Sequence, residues 1–276
     1  KLTEQEYIGT VLSLFNWVAL NGDDFLGVGT HQKFYIEQGG VFYDITPIRK
    51  TSTNSITFAA TNGSSTITAT DSAHGAVEGD FVTISGAVSL GGNITAAVLN
   101  QEYQIVSVPS TSTYTFVAKD TSGATVTANS SDSGNGGSGV DGVYQINTGL
   151  NTSVGGTGWG TGTWGRGTWG SGTDITTTTQ LRIWSQDNFG EDLLFNPRDS
   201  GIFYWDKSDG LTQRAVNITS LTNSIDAPTI AKQVMVSDND RHVIAFGCNP
   251  LGSGEQDPLL IRFADQENLL EWNPTG

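Results

Sequence analysis

The chain has 276 residues, of which 36% are hydrophobic, only 15% charged and 35 glycine. With Thr, Ser and Asn filling the difference, this is the composition of many short strands joined by tight turns and not of a helical enzyme. A formal charge of −15, from 28 acidic against 13 basic residues, repels phosphate backbones and anionic membrane surfaces and argues against ordinary nucleic-acid or membrane docking.

A single cysteine, Cys248, leaves no intrachain disulfide and reads as a small buried residue in a strand. No apolar run approaches the roughly 20 residues of a membrane-spanning helix. The chain begins at Lys1 without an initiator Met and stops at Gly276 directly after a strand-like segment, so it is expected to be part of a longer polypeptide.

In chain order, Tyr7–Leu20 partly fits a helical stripe (Tyr7, Ile8, Val11, Leu12, Leu14, Phe15, Val18) and equally suits a strand. Phe25–Arg49 reads as a hairpin and a third strand: turns at Gly29-Thr30-His31 and Gln38-Gly39-Gly40, then Val41–Ile45, ended by Pro47. From about residue 52 to 148 the chain is dense in Thr, Ser, Ala and Gly. Strands are expected there at Ser64–Ala69, Phe81–Ser85, Tyr103–Val108 and Tyr114–Ala118, and Ser130–Gly139 is expected to be a flexible connector. This region reads as an inserted small β-sandwich or barrel domain.

Residues 155–173 repeat Gly-Thr-Trp-Gly and place Trp159, Trp164 and Trp169 at a period of five, which matches neither helix nor strand. Packing into a neighbouring subunit is the plain reading of these indoles and of Trp205; stacking on sugar is the sharper one.

A weak internal repeat follows. Phe25–Ile45, Asp192–Ile218 and His242–Thr275 each read as three antiparallel strands, the last including Leu270–Trp272, and Gln180–Ser185 and Gln233–Ser237 supply a fourth strand to the later two. Four-stranded repeats of this size read as propeller blades. The expected fold is therefore all-β: a partial or fragmentary β-propeller in residues 1–51 and 175–276, continuing beyond Gly276, with an inserted domain at 52–148 and a Gly/Trp-rich loop at 149–174.

The segments FLGVGTHQKFYIEQGGVFYDITP (Phe25–Pro47) and LLIRFADQENLLEWNPT (Leu259–Thr275) resemble virion proteins of tailed bacteriophages. The second, with its (I/V)-R-(F/W)-(S/A)-D-x-x-N-x-x-x-W pattern, resembles the tail nozzle or tail tubular B-type proteins of short-tailed phages. The resemblance implies a β-propeller in a ring around the DNA exit channel, located in the virion tail and without catalytic residues. The partners it implies are copies of the chain in a cyclic homo-oligomer, neighbouring tail or portal-adaptor proteins, and passing genomic DNA that is not specifically bound. The alternative is a carbohydrate-binding or host-adhesion module, with Trp159, Trp164, Trp169 and Trp205 as glycan contacts.

No enzyme motif competes with this. His31, His74 and His242 lack metal-ligand spacing, and no phosphate-cradling Gly-Lys-Ser/Thr occurs. Asp238-Asn239-Asp240 lacks the rest of a calcium loop. Ser185-Gln186-Asp187 opens like a sialidase Asp-box, but Phe189 stands where that motif needs Gly. No metal or cofactor is expected.

Overall fold

Alternating Thr, Val and aromatic residues between glycine-bearing turns become strands. The computed structural model describes residues 7–148 and 182–273, and within them 20 strands form five antiparallel sheets, none closed into a barrel. The all-β expectation holds, and a closed barrel drops out.

In chain order the strands are β1 (Val11–Val18), β2 (Asp24–Thr30), β3 (Phe34–Gln38), β4 (Val41–Asp44), β5 (Ile48–Ser52), β6 (Thr57–Ala60) and β7 (Thr66–Thr70). Next come β8 (Phe81–Ser85), β9 (Glu102–Gln104), β10 (Ser107–Ser110), β11 (Thr113–Val117), β12 (Asp132–Asn135) and β13 (Asp141–Gln145). The last are β14 (Trp184–Phe189), β15 (Asp192–Pro197), β16 (Phe203–Trp205), β17 (Val216–Asn217), β18 (Gln233–Val236), β19 (Val243–Phe246) and β20 (Ile261–Phe263). One helical turn, Ala96–Leu99, is capped by the Thr95 side chain, which accepts from the Val98 N–H.

The first stretch is a strand. In β1, Leu12, Leu14, Asn16 and Val18 are exposed, whereas Val11, Ser13, Phe15 and Trp17 are half-buried or buried, a period of two. The single strand expected at Tyr103–Val108 divides between β9 and β10, which belong to different sheets, and two further sequence expectations fail. Ser130–Gly139 is not a plain connector, because β12 pairs antiparallel with β6; Gly136 lets the backbone lie against the Phe58 ring, where a Cβ would sit 2.6 Å from Cδ2. Leu270–Trp272 is not a strand. Its contact is a single parallel bridge from Glu271 to Ile225, and the buried Trp272 donates its indole N–H to Leu269 O.

The chain divides into two compact units, Lys1–Phe42 with Thr148–Ile202 and Ile218–Gly276, and Tyr43–Asn147 with Phe203–Asn217. In the first, the strands follow chain order across their sheets: β1-β2-β3, β14-β15 and β18-β19-β20. In the second, the sheets β10-β11-β7-β6-β12 and β5-β13-β8-β9 enclose one apolar core that includes Phe58, Ile67, Ile84, Tyr114, Phe116 and Tyr144. Residues 203–217 join this unit through Arg214. Its guanidinium forks onto Asp44 at 3.1 and 3.2 Å and donates to Thr46 O at 2.8 Å.

A carboxylate sits inside that core. Asp71 is 2% exposed, accepts from Tyr144 Oη–H at 2.7 Å and from Ser55 Oγ–H at 2.9 Å. Burial pushes its pKa up, but the hydroxyls of Ser52, Tyr144 and Ser55 and the charge of Lys50 outweigh that and hold it below the usual range. A depressed folded pKa means that the carboxylate stabilises the unit above the unfolded value of about 3.9, and that this is lost as pH falls through the folded pKa. Tyr144→Phe is therefore expected to cost about 1.5–3 kcal/mol at pH 7. The gap from wild type narrows near pH 3 in urea unfolding, whereas a gap independent of pH would contradict the carboxylate's role.

Candidate functional site

The first unit is organised around β14, whose side chains alternate between two neighbours. Trp184 and Gln186 point one way. The Trp184 indole N–H donates to Thr30 O at 2.7 Å, and Gln186 Nε2 donates to Ser13 Oγ at 2.7 Å. Opposite them β2 offers Gly27 and Gly29. A Cβ at Gly29 would lie 2.6 Å from Trp184 Cδ1, and one at Gly27 would run into Gln186 Oε1. Only a glycine lets the strand accept these side chains so closely. Alongside, Phe34 of β3 stacks on Phe195 of β15 with ring centroids 4.0 Å apart. The far end is pinned by Glu191, which accepts from the Trp17 indole through its backbone O and from Leu20 N through its carboxylate, both at 2.9 Å.

Ser185 and Asp187 point the other way, to β18. Ser185 Oγ accepts from Val234 N at 2.9 Å and Asp187 Oδ2 from Val236 N at 2.8 Å. Strand β18 is the edge of its sheet, so these amides would otherwise lack a ladder partner. Each of Leu193, Leu194, Phe195 and Asn196 in β15 is 0% exposed, as expected of a sheet covered on both faces. The β14-β15 sheet is thus the middle layer, and the first strands of the three sheets (β1, β14 and β18) lie together.

A cleft of about 470 Å³ opens along these strands, lined among others by Ser13, Phe15, Trp184, Gln186, Asp187 and Lys232. Its polar groups are largely engaged in the ties just described, and Lys232 Nζ pairs with Asp199 at 2.9 Å. Asp187 is the one carboxylate in the lining, which holds no His or Cys. The cleft lining therefore lacks the two carboxylates of a glycosidase. No cluster of His, Cys, Asp or Glu suited to a metal ion occurs among the described residues. What the arrangement does is join sheets.

Burial pushes the Asp187 carboxyl up, Asp238 adds to this, and the N–H groups of Val236 and Asn188 partly offset it.

The residues singled out in the sequence fall elsewhere. Trp159, Trp164 and Trp169 lie outside the described residues. Trp205 is on β16 in the second unit and is 1% exposed, so its ring is packed and not displayed to a glycan or a second subunit. Ser185-Gln186-Asp187 lies on a strand, not in an Asp-box turn. Cys248 is buried, and burial raises its thiol pKa. Sequence reading missed Ser13, Gln186 and Glu191 as connectors. For Gln186 the visible signal is the polar run Ser185-Gln186-Asp187 inside β14; Ser13 and Glu191 carry none.

No protein-family model matches the chain, and no curated protein matches it. Among solved structures it is similar to "Phage phi92 endosialidase", with a TM-score of 0.28 and 12% sequence identity. The match covers 96% of this chain and 37% of the length of that one. A likeness at this TM-score carries no argument about the fold or activity of the present chain.

The Asp187 tie makes a signed prediction. A folded pKa above the unfolded one means that the native state binds the extra proton, so stability falls as pH rises through the window between about 3.9 and the folded value. Asp187→Asn keeps an oxygen for Val236 N–H, turns its amide nitrogen to Asn188 N–H and removes the half-buried charge. Its stability is expected not to show the fall between about pH 4 and pH 7 that wild type shows. Asp187→Ala strands the amide and is expected to lose about 1–3 kcal/mol. Urea midpoints of the three proteins at both pH values check this.

Proposed function

We propose that the chain is a structural, non-catalytic module of a tailed-phage virion: a set of propeller-like blades in a tail nozzle or tube that surrounds the DNA exit channel. The observation that carries the reading is the meeting of β1, β14 and β18. Three antiparallel runs follow one another in the chain, and the second and third each start on a strand bound to the first strand of the run before it. Blade-like repeats stack this way because none buries its faces alone.

The virion part of the reading is supported by the resemblance of Phe25–Pro47 and Leu259–Thr275 to short-tailed phage proteins. Those segments carry β2 and β3, and β20 with its following loop, in the two outer sheets of the first unit. A cyclic homo-oligomer, contacts with neighbouring tail or portal-adaptor proteins, and DNA that passes without specific binding belong to the same proposal. The charge of −15 favours passage over adhesion, since it repels phosphate.

Gold-labelled antibody raised against this chain, applied to phage particles and viewed by negative-stain microscopy, is expected to decorate the tail. Decoration of the capsid alone, or none on particles that contain the chain by mass spectrometry, would overturn the reading.

A further inference from the structure

Strand β2 sets the outer face of the first sheet. Gly27 and Gly29 lie against Gln186 and Trp184 of β14, so Val28 and Thr30 face away from the middle sheet. Val28 pairs with Tyr35 of β3. Both belong to the outward face, yet Val28 is 1% and Tyr35 5% exposed. The segment Tyr7–Thr10, which precedes β1 and is not a strand, is bound to this face. Ile8 N–H donates to Tyr35 Oη at 3.0 Å, and Ile8 O accepts from Thr30 Oγ1 at 2.9 Å. Thr10 N–H donates to His31 Nδ1 at 2.8 Å, and His31 N–H returns a bond to Thr10 O at 3.1 Å. Tyr7 sets its ring edge-on to Phe42, with centroids 5.0 Å apart. Between these contacts Gly9 has φ of 101°. A Cβ there would lie 2.8 Å from Thr30 Oγ1 and 3.2 Å from His31 Nδ1, so the position demands glycine.

We propose that this face is a recognition seat for an extended aromatic–aliphatic–Gly–Thr segment, and that the chain's own Tyr7–Thr10 fills it as a strap able to leave and be exchanged. The seat has the character of a peptide site. It takes up the main-chain N–H and C=O of positions 8 and 10, as sites for extended peptides do, and it excludes a side chain at position 9. Release leaves the Thr30 hydroxyl bonded. That hydroxyl has one proton to give and a second acceptor already in place, Lys33 O at 2.9 Å, while it goes on accepting from Lys33 N–H at 2.8 Å. The bond from Thr10 to the His31 ring lies in an exposed position, where water replaces it. Tyr7 and Ile8 are each 41% exposed, so the strap gives up only part of its apolar burial when it leaves. Its departure uncovers Val28 and Tyr35, the apolar surface on which a second segment of the same chemistry binds. None of this depends on the proposed virion role.

The test uses the whole chain and a fluorescein-labelled peptide, EYIGTVL, the sequence of residues 6–12. Gly9→Val in the chain unseats its own strap, and circular dichroism with thermal unfolding verifies the fold. Ile8→Pro, which removes the N–H that Tyr35 accepts, is the second variant if the first does not fold. By fluorescence anisotropy the peptide is expected to bind the variant saturably. Wild type, whose strap competes from within the chain, is expected to bind it about tenfold more weakly or less. The same peptide with Gly9→Val is expected to bind neither. In wild type alone, hydrogen exchange of the Ile8 and Thr10 amides is expected to run about 100-fold faster than that of the β1–β2 ladder amides. Exchange of Ile8 and Thr10 at the ladder rate, a folded variant that does not bind the peptide, or equal binding of the Gly9→Val peptide would each overturn the seat.

Discussion

The fold of the first unit turns on the open edge of β18. An edge strand leaves every second amide without a ladder partner, and a buried amide left so costs about 1–3 kcal/mol. Here the missing acceptors come from side chains of the neighbouring sheet, Ser185 and Asp187. Because successive residues of a strand point to opposite faces, the same strand is free to use Trp184 and Gln186 on the first sheet. One short polar strand thus fixes three sheets, and the position of each first strand follows from it. The glycines of β2 and the stacked pair Phe34 and Phe195 fill in around that constraint. A half-buried carboxylate is a costly choice of acceptor, since burial opposes its ionisation. Its second oxygen also receives Asn188 N–H, so the charge is shared between two amides.

Much of the strand content was legible in the residues. Phe81–Ser85 alternates apolar and polar positions between turn signals and is the strand β8 residue for residue. Gly39 and Gly40, at φ of 63° and 93°, make the turn that their spacing suggests. Failures occur where pairing is decided by distant residues. The stretch Asp132–Asn135 has no hydrophobic alternation, and its strand exists because β6 lies alongside. At Leu270–Trp272 the apolar residues fit a strand pattern, yet Arg262 donates to Trp272 O and Asn268 Oδ1 accepts from Leu270 N, and these bonds close a loop instead. The joining site was nearly invisible. Ser185-Gln186-Asp187 looks like a failed Asp-box in sequence, because nothing local reveals that two amides of β18, some 49 residues on, come to meet it.

The functional reading follows from what the polar groups are used for. In an enzyme cleft, carboxylates, amides and hydroxyls converge on space. In this cleft they converge on one another and on backbone amides, and the result is mechanical continuity between sheets. Low charge density and abundant Thr and Gly fit a part that is built from stacked sheets. The tryptophan that sequence reading offered as a contact, Trp205, is interior.

Amide hydrogen exchange by NMR on the intact chain tests the central claim most directly. If Ser185 and Asp187 hold the open edge of β18, the Val234 and Val236 amides exchange slowly, at rates close to those of the ladder amides of the same unit, and Asp187→Ala releases Val236 selectively. Exchange of Val234 and Val236 at the rate of a solvent-facing edge strand would contradict the account.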